Sequence, residues 1–168
     1  MISNALFRSI FLTCIISLLM LTMAAGQVPV DVSSDGSLVL VTDSARDGLI
    51  LVNSRNGKQT EVTKGFNAGY YASISEDGKF VCFKEISSEA GDMIQEPLLF
   101  DINNSSIIKL WSAVPIAGTP AVSADGKIAF TVGNEMILMD SGFSVINKFD
   151  LKHHVNLLAF SPRSEEHT

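Results

Sequence analysis

The chain is poor in cysteine and in basic residues. Its 168 residues include two cysteines, and 12 lysines and arginines stand against 18 aspartates and glutamates, for a net charge of −6. Two cysteines are too few for a small fold stapled by disulfides. Nucleic-acid binding needs clustered positive charge to neutralise phosphates, so the acidic balance argues against it. No helical period occurs in the hydrophobic pattern after residue 26, which predicts an all-β domain.

The longest apolar run lies at the N-terminus. Arg8 is followed by the apolar stretch Ile10–Ala25 and then by the small residue Gly26. This order is typical of a secretory signal peptide that is cleaved after a small residue. An uncleaved membrane anchor is the alternative, but the run is shorter than the roughly 20 apolar residues that span a bilayer. We therefore predict a signal-peptide helix over residues 1–26 and a periplasmic or secreted mature protein without a stable membrane anchor.

Cleavage would leave Cys82 as the only thiol. It lies in the apolar stretch Val81-Cys82-Phe83. A buried free cysteine behaves as a small hydrophobic residue, so a structural role is predicted rather than a reactive one.

A short signature recurs at intervals of about forty residues. Its first residues, Ser33, Ser75, Ser123 and Ser161, are 42, 48 and 38 residues apart. This period is typical of β-propeller blades of four strands. The three complete copies are Ser33-Ser34-Asp35-Gly36, Ser75-Glu76-Asp77-Gly78 and Ser123-Ala124-Asp125-Gly126, and Ser161-Pro162 begins a fourth.

Each signature is predicted to form the turn between the first and second strands of a blade. Asp-Gly favours a tight hairpin, because glycine adopts positive φ at little cost and the Asp and Ser side chains can bond nearby backbone N–H groups. The sequence therefore predicts a partial β-propeller over residues 27–162. Its four-stranded antiparallel blades cover about residues 28–65, 69–113 and 118–152, and the first strand of a fourth lies in 155–162. First strands are predicted at Val28–Val32, Tyr70–Ile74, Pro120–Val122 and Val155–Phe160.

These residues resemble the TolB-type, WD-like propeller repeat. The best match is Ser123-Ala124-Asp125-Gly126-Lys127-Ile128-Ala129-Phe130. In the same copy, Met139-Asp140 ends the third strand, as an apolar residue followed by aspartate does in this repeat. Glu76-Asp77-Gly78-Lys79-Phe80 and Leu99-Phe100-Asp101 also match, whereas the first copy departs from the pattern at Ser37 and Asn53. The resemblance implies a propeller. Such blades occur in periplasmic scaffold proteins, in secreted proteins and ahead of serine peptidase domains.

The C-terminal residues depart from the repeat. After Ser161-Pro162 the pattern calls for Asp-Gly, but the chain continues with Arg163-Ser164-Glu165-Glu166-His167-Thr168, which resembles the translation of a common sequencing adapter. A genuine polar tail is the alternative. We expect residues 163–168 to be a non-native tail and the chain to be a fragment of a longer propeller.

The sequence predicts no metal site and no cofactor. Asp31 to Gly36 imitate the start of a calcium loop, but Thr42 stands where the bidentate glutamate belongs. His153 and His154 are adjacent, and on a strand they would face opposite sides and could not chelate one metal together.

Aromatic residues and one insertion are the remaining candidates for a surface role. Trp111, Tyr70 and Tyr71 could line a binding surface, although packing within blades is the favoured interpretation. The stretch Ser87–Glu96 is polar and is predicted to be the longest loop. Loops of this kind often carry binding function.

No catalytic motif is present, such as Gly-x-Ser-x-Gly or a phosphate-binding loop. We therefore predict an exported, non-enzymatic propeller that binds protein or another macromolecule, and not nucleic acid. The main alternative is the N-terminal propeller of a secreted prolyl-oligopeptidase-like serine peptidase whose catalytic domain lies outside this sequence. A sugar- or ion-binding propeller that uses its central channel is a third candidate.

Overall fold

A computed structural model describes residues 26–160, which form three four-stranded antiparallel sheets with no helix among them. The first sheet contains β1 (Val28–Val32), β2 (Leu38–Thr42), β3 (Leu49–Asn53) and β4 (Gln59–Thr63). The second contains β5 (Ser73–Ile74), β6 (Phe80–Glu89), β7 (Asp92–Asp101) and β8 (Ser106–Lys109). The third contains β9 (Ala121–Val122), β10 (Ile128–Val132), β11 (Glu135–Met139) and β12 (Val145–Asp150).

The strands of each sheet are hydrogen-bonded in chain order, so every sheet is a meander of three consecutive hairpins. This is the blade architecture that the repeat predicts, and the all-β fold class is confirmed. Within the described range no helix is long and apolar enough to cross a membrane. The predicted signal helix, Ser161 and the tail 163–168 lie outside the described residues.

The second sheet is buried on both faces, because successive side chains of its strands point to opposite faces and are apolar on both. Val81 and Phe83 on β6 join the core shared with the first sheet, whereas Cys82 between them joins the core shared with the third. On β7, Leu99 likewise packs toward the third sheet, and its neighbours Leu98 and Phe100 pack toward the first. A strand with large apolar side chains on both faces needs a sheet on each side.

The first strands of successive sheets lie side by side. Asp31 on β1 accepts the backbone N–H of Ile74 on β5 through Oδ2 at 2.8 Å. Thr119, just before β9, forms a parallel bridge with Leu157. Thr119 and Leu157 each stand four positions before a signature serine, Ser123 and Ser161 respectively, so the bridge joins repeat-equivalent positions.

Two expectations about local structure need correction. Ser87–Glu96 is not a loop: β6 and β7 continue through it as a ladder from Phe80–Asp101 to Glu89–Asp92, with only Ala90 and Gly91 between them. The expected strand Val155–Phe160 forms no ladder in the described residues, where its pairing is limited to the Leu157 bridge. The segment pairs only with Thr119, which precedes β9, so a single bridge forms.

The blades share one register. Val32 pairs with Val39, Ile74 with Val81 and Val122 with Ile128. In each sheet, the next residue along the second strand pairs with a leucine of the third strand. The three equivalent leucines are Leu51, Leu99 and Leu138. Leu51 and Leu99 are buried against the following sheet, while Leu138 is only half-buried. The third sheet therefore presents an apolar face at the position where the first two sheets pack against a neighbour.

Candidate functional site

The signature residues form closed turns at one end of each sheet. In the first copy, the Ser33 hydroxyl donates to Asp35 Oδ1 at 2.7 Å and accepts the backbone N–H of Leu38 at 3.0 Å. Gly36 donates its N–H to the Ser33 carbonyl at 2.8 Å and has a φ of 70°, a left-handed value that favours glycine. The other copies repeat the pattern: Ser75 to Asp77 at 2.7 Å with Gly78 at φ 68°, and Ser123 to Asp125 at 2.6 Å with Gly126 at φ 81°.

Hydrogen bonds keep the signature carboxylates charged. The backbone N–H of Ser37, with the hydroxyls of Ser33 and Ser37, lowers the pKa of Asp35 to about 2. The side chain of Lys127, with the Ser123 hydroxyl, lowers the pKa of Asp125 to about 2.

Asp77 reaches the same state in a less exposed setting. Burial acts to raise its pKa, but the bonds from Ser75 and Lys79 outweigh it, so the pKa lies below its usual value of 3.8.

The signature turns do not combine into one site. Each aspartate pairs with a cation of its own sheet: Arg55 with Asp35 at 3.8 Å, Lys79 with Asp77 at 3.0 Å, and Lys127 with Asp125 at 2.8 Å. Within residues 26–160, no group of three or more His, Cys, Asp or Glu side chains is arranged to hold a metal ion. The turns stabilise the blades, and the end of the sheets that carries them is called here the signature end.

The opposite end of the sheets carries the connections between blades. These are residues 64–72 between β4 and β5, 110–120 between β8 and β9, and the long β6–β7 hairpin that projects between them. The hairpin is anchored on both sides, because Ile86 N–H donates to the Phe66 carbonyl at 3.3 Å and Gln95 exchanges two backbone bonds with Val114. This end is called the hairpin end.

The connection 64–72 has a firmly held backbone. Asn67 N–H donates to Asp47 Oδ1 at 2.8 Å, and Gly69 N–H donates to the Arg46 carbonyl at 2.9 Å. Gly48 N–H donates to the Gly65 carbonyl at 2.9 Å. Such a loop can hold its side chains in fixed positions without further packing.

The same connection presents aromatic side chains to solvent. Phe66 is 58% exposed, Tyr70 46% and Tyr71 53%, and the two tyrosine rings lie 6.4 Å apart at 51°. Tyr71 has a φ of 62°, a left-handed conformation that is uncommon for a bulky residue and carries a conformational cost. Met93 on the hairpin and Ile116 on the next connection are also exposed. We call Phe66, Tyr70, Tyr71, Met93 and Ile116 the hairpin-end patch.

Acidic residues outnumber basic ones on the hairpin and in the cleft at this end. The hairpin segment 85–96 contains four acidic residues, Glu85, Glu89, Asp92 and Glu96, and no basic one. Beside the first sheet a cleft of about 510 Å³ opens at the same end, and its lining includes Asp43, Asp47, Glu61 and Lys64. The hairpin end therefore combines exposed apolar side chains with an excess of acidic over basic residues.

The aromatic candidates from the sequence thus divide between surface and core. Trp111 packs beside Phe130, with ring centroids 6.0 Å apart, and Lys148 Nζ lies 5.3 Å from the Trp111 ring centroid. Trp111 is a packing residue, in agreement with the favoured interpretation. The interpretation as packing residues was wrong for Tyr70 and Tyr71. Both are exposed in the turn before β5, instead of lying in the strand as predicted.

Comparison with solved structures supports the fold. The propeller domain of the trilobed protease from Pyrococcus furiosus matches with a TM-score of 0.57 and 17% identity, over 76% of this chain and 44% of that one. An oligogalacturonate lyase solved in complex with manganese matches with a TM-score of 0.50 and 14% identity, over 74% of this chain and 39% of that one. TolB from Acinetobacter baumannii aligns with 22% identity and a TM-score of 0.49, over 76% of this chain and 32% of that one.

The likeness to the propeller domain of the trilobed protease defines the fold of this chain as a β-propeller. The chain spans less than half the length of each of these solved structures. No protein-family model and no curated protein matches the sequence.

Proposed function

We propose that this chain is the propeller module of an exported protein and that it binds a basic polypeptide at its hairpin end. The observation that carries the proposal is the exposed aromatic cluster Phe66, Tyr70 and Tyr71 on a hydrogen-bonded connection. Tyrosine and phenylalanine supply large contact areas while losing few rotamers, which is why aromatic residues are enriched at interface centres. A backbone that is already ordered lowers the entropic cost of binding further.

The charge of the hairpin end favours a partner of opposite sign. Glu89 and Asp92 flank the hairpin tip and are exposed, and neither forms an ion pair with a described residue. By contrast, the signature aspartates are paired with lysine or arginine, and so are Glu96 and Glu61 at the hairpin end. Complementary charge speeds encounter and suppresses the wrong partners, so lysine or arginine side chains around an apolar anchor fit this surface.

The N-terminal sequence supports an exported location. The basic residue, apolar run and small residues of positions 1–26 are the pattern of a secretory leader. We place the mature protein in the periplasm or outside the cell. The TolB-type assignment rests on the signature residues, with Ser123–Phe130 as the best copy.

The third sheet supports a longer propeller. Leu138, Met136 and Phe149 lie on the face that corresponds to the one buried by the next blade in the first two sheets, and Phe149 is 40% exposed. The Thr131 hydroxyl also donates to the Val155 carbonyl at 2.6 Å, which ties the segment after β12 to the third sheet. We propose that a further blade of the same repeat covers this face.

A second candidate function is the propeller of a serine peptidase. The observation in its favour is that the solved propeller of the trilobed protease shares the fold with a TM-score of 0.57. DNA sequence beyond residue 162 separates the two candidates. A Gly-x-Ser-x-Gly segment after the last blade would support the peptidase, whereas an interaction domain or an ending after the last blade would support the binding module.

Selection from a random peptide display library tests the binding proposal. The selected peptides are expected to combine lysine or arginine with an apolar residue, and their affinity should fall at least tenfold in Phe66→Ala and Tyr71→Ala, a loss typical of an aromatic residue at an interface centre. Phe143→Ala is the matched control, because Phe143 is also an exposed aromatic residue with positive φ but lies at the signature end.

Two results would contradict the proposal. One is the selection of peptides without basic residues. The other is an equal loss of affinity in Phe143→Ala and Tyr71→Ala, which would show that the contact does not lie at the hairpin end.

A further inference from the structure

A buried lysine joins three parts of the fold without a carboxylate. Lys84 on β6 is 4% exposed, and its Nζ donates to Gln95 Oε1 at 2.7 Å, to the Ala117 carbonyl at 2.7 Å and to Asn156 Oδ1 at 2.9 Å. Burial lowers the pKa of Lys84. Three oxygen partners nevertheless match the three N–H groups of an ammonium, so the charged form satisfies every partner.

The lysine fixes the orientation of the Asn156 amide. An ammonium only donates, so the Asn156 atom that faces Lys84 must be the oxygen. The same oxygen lies 3.1 Å from His154 Nε2, and His154 Nδ1 lies 2.8 Å from the Gly133 carbonyl. Both ring nitrogens of His154 therefore face groups that can only accept.

A neutral imidazole cannot make both contacts. It carries one N–H and can donate to either Gly133 or Asn156, whereas the imidazolium carries two N–H groups and donates to both. The arrangement of His154 in this structure is thus complementary to its protonated form.

The charged groups around His154 are of both signs. Lys84 on β6 shares the Asn156 oxygen and repels a second cation, and Lys152 precedes the His153–His154 pair in the same segment. Glu135 and Asp150 stand opposite each other at the ends of β11 and β12, next to the Gly133 turn, and Glu135 is paired with Lys148 at 3.9 Å.

We propose that His154 is a pH-dependent latch for residues 151–157, the segment that leads from the third sheet toward the next blade. This goes beyond the binding function proposed above. In its protonated form His154 ties the segment to the β10–β11 turn at Gly133 and, through Asn156, to Lys84. In its neutral form one of the two bonds is lost and the segment opens more often.

Other contacts of the segment do not depend on the histidine charge. The Thr119 N–H donates to the Asn156 carbonyl at 2.9 Å, and the Thr131 hydroxyl donates to the Val155 carbonyl. The latch therefore changes how often the segment opens and does not decide whether it docks at all.

Hydrogen–deuterium exchange on the full chain tests the latch. The Thr119 amide reports directly, because its acceptor is the Asn156 carbonyl. After correction for intrinsic exchange, its protection is expected to be about fivefold higher near pH 5.5 than near pH 8, which corresponds to one hydrogen bond of ordinary net strength. His154→Gln should remove the dependence, and His153→Gln, the exposed neighbour, should keep it.

Nitrogen-15 spectra of the wild-type histidines provide a readout that needs no variant. Near pH 5.5 both ring nitrogens of His154 should carry protons while Thr119 is protected. Lys84→Met is a further test, since without the ammonium the Asn156 amide can rotate and donate to a neutral ring, and the pH dependence should shrink. The proposal is overturned if protection is equal at the two pH values, if His154→Gln keeps the dependence, or if His154 is a single neutral tautomer near pH 5.5.

Discussion

Asp31 Oδ2 accepts the backbone N–H of Ile74 at 2.8 Å, so a side chain of β1 takes the place of a strand partner for β5. Its other oxygen accepts the N–H of Val32 at 2.8 Å. Both oxygens are therefore occupied by backbone donors of two adjacent blades. This accounts for an aspartate two positions before the first signature serine, a place where the other copies have Ser73 and Ala121.

Asp31→Ala should weaken the contact between the first two blades. The substitution leaves the Ile74 N–H without its charged acceptor, and the free energy of unfolding should fall by about 1–3 kcal/mol. Urea unfolding measures this. Asp92→Ala, at the exposed hairpin tip, is the control and should change stability little. Equal stability of Asp31→Ala and the wild type would mean that the contact between Asp31 and Ile74 contributes nothing.

Gly78→Val should destabilise the second blade. Nothing lies within 4 Å of a Cβ at position 78, so the cost comes from the φ of 68° and not from a clash. A left-handed conformation costs an ordinary residue about 1–2 kcal/mol, and a β-branched residue more. Gly78→Asn should cost less, since asparagine tolerates this region. If the two variants melted at the same temperature, backbone conformation would not be the reason for glycine here.

The signature carboxylates should titrate well below the usual range. The pKa values of Asp35 and Asp125 lie near 2 in the folded chain, against a usual value of 3.8. A lowered folded pKa stabilises the fold above pH about 4, and this contribution is lost as the pH falls toward 2. Thermal melts between pH 5 and pH 2 should show a falling midpoint through this window, and a midpoint that stayed constant would contradict the assignment.

Lys127→Met should raise the pKa of Asp125 and leave the pKa of Asp35 unchanged. The Lys127 side chain is the largest cause of the lowered pKa of Asp125, whereas Asp35 depends first on the backbone N–H of Ser37. Carboxyl-carbon NMR titration of the variant should find the Asp125 midpoint moved upward and the Asp35 midpoint still near 2. Parallel movement of both midpoints would mean that a general field, and not the local bonds, sets them.

Cys82 should report on opening of the blades. Its side chain is 1% exposed, and burial raises its pKa to about 12, so it should not react with a thiol reagent in the folded chain. Labelling should start only in denaturant and follow the loss of β-sheet signal. Rapid labelling of the folded chain at neutral pH would show that the contact between the second and third blades is open.

Much of the fold could be read from the residues because two local rules agree. Strict alternation, as in Val81-Cys82-Phe83, sets which face each side chain takes, and Asp-Gly sets where a hairpin turns. The first strand, β1, accordingly lies where the pattern placed it, at Val28–Val32. The outer half of the β6–β7 hairpin, Ser87–Glu96, was predicted to be a loop, because it projects past the core and its residues need no apolar alternation.

The candidate surface was less accessible to sequence reasoning. Tyr70 and Tyr71 look like strand residues by composition, but β5 begins only at Ser73 and Tyr71 has a left-handed φ of 62°. Lys84 stands where the other blades have Thr42 and Thr131, a difference visible once the blades are aligned by their signatures. Its partners Ala117 and Asn156 are distant in the chain, so the contact depends on tertiary structure alone.

Site-specific photo-crosslinking tests the central claim, that the hairpin end binds a basic polypeptide. A photoreactive phenylalanine analogue would replace Tyr71 at the hairpin end or Phe143 at the signature end, and each chain would be irradiated with a peptide from the display selection. The account predicts a covalent adduct from position 71 that a high salt concentration reduces, and none from position 143. An adduct from position 143 with none from position 71 would contradict it.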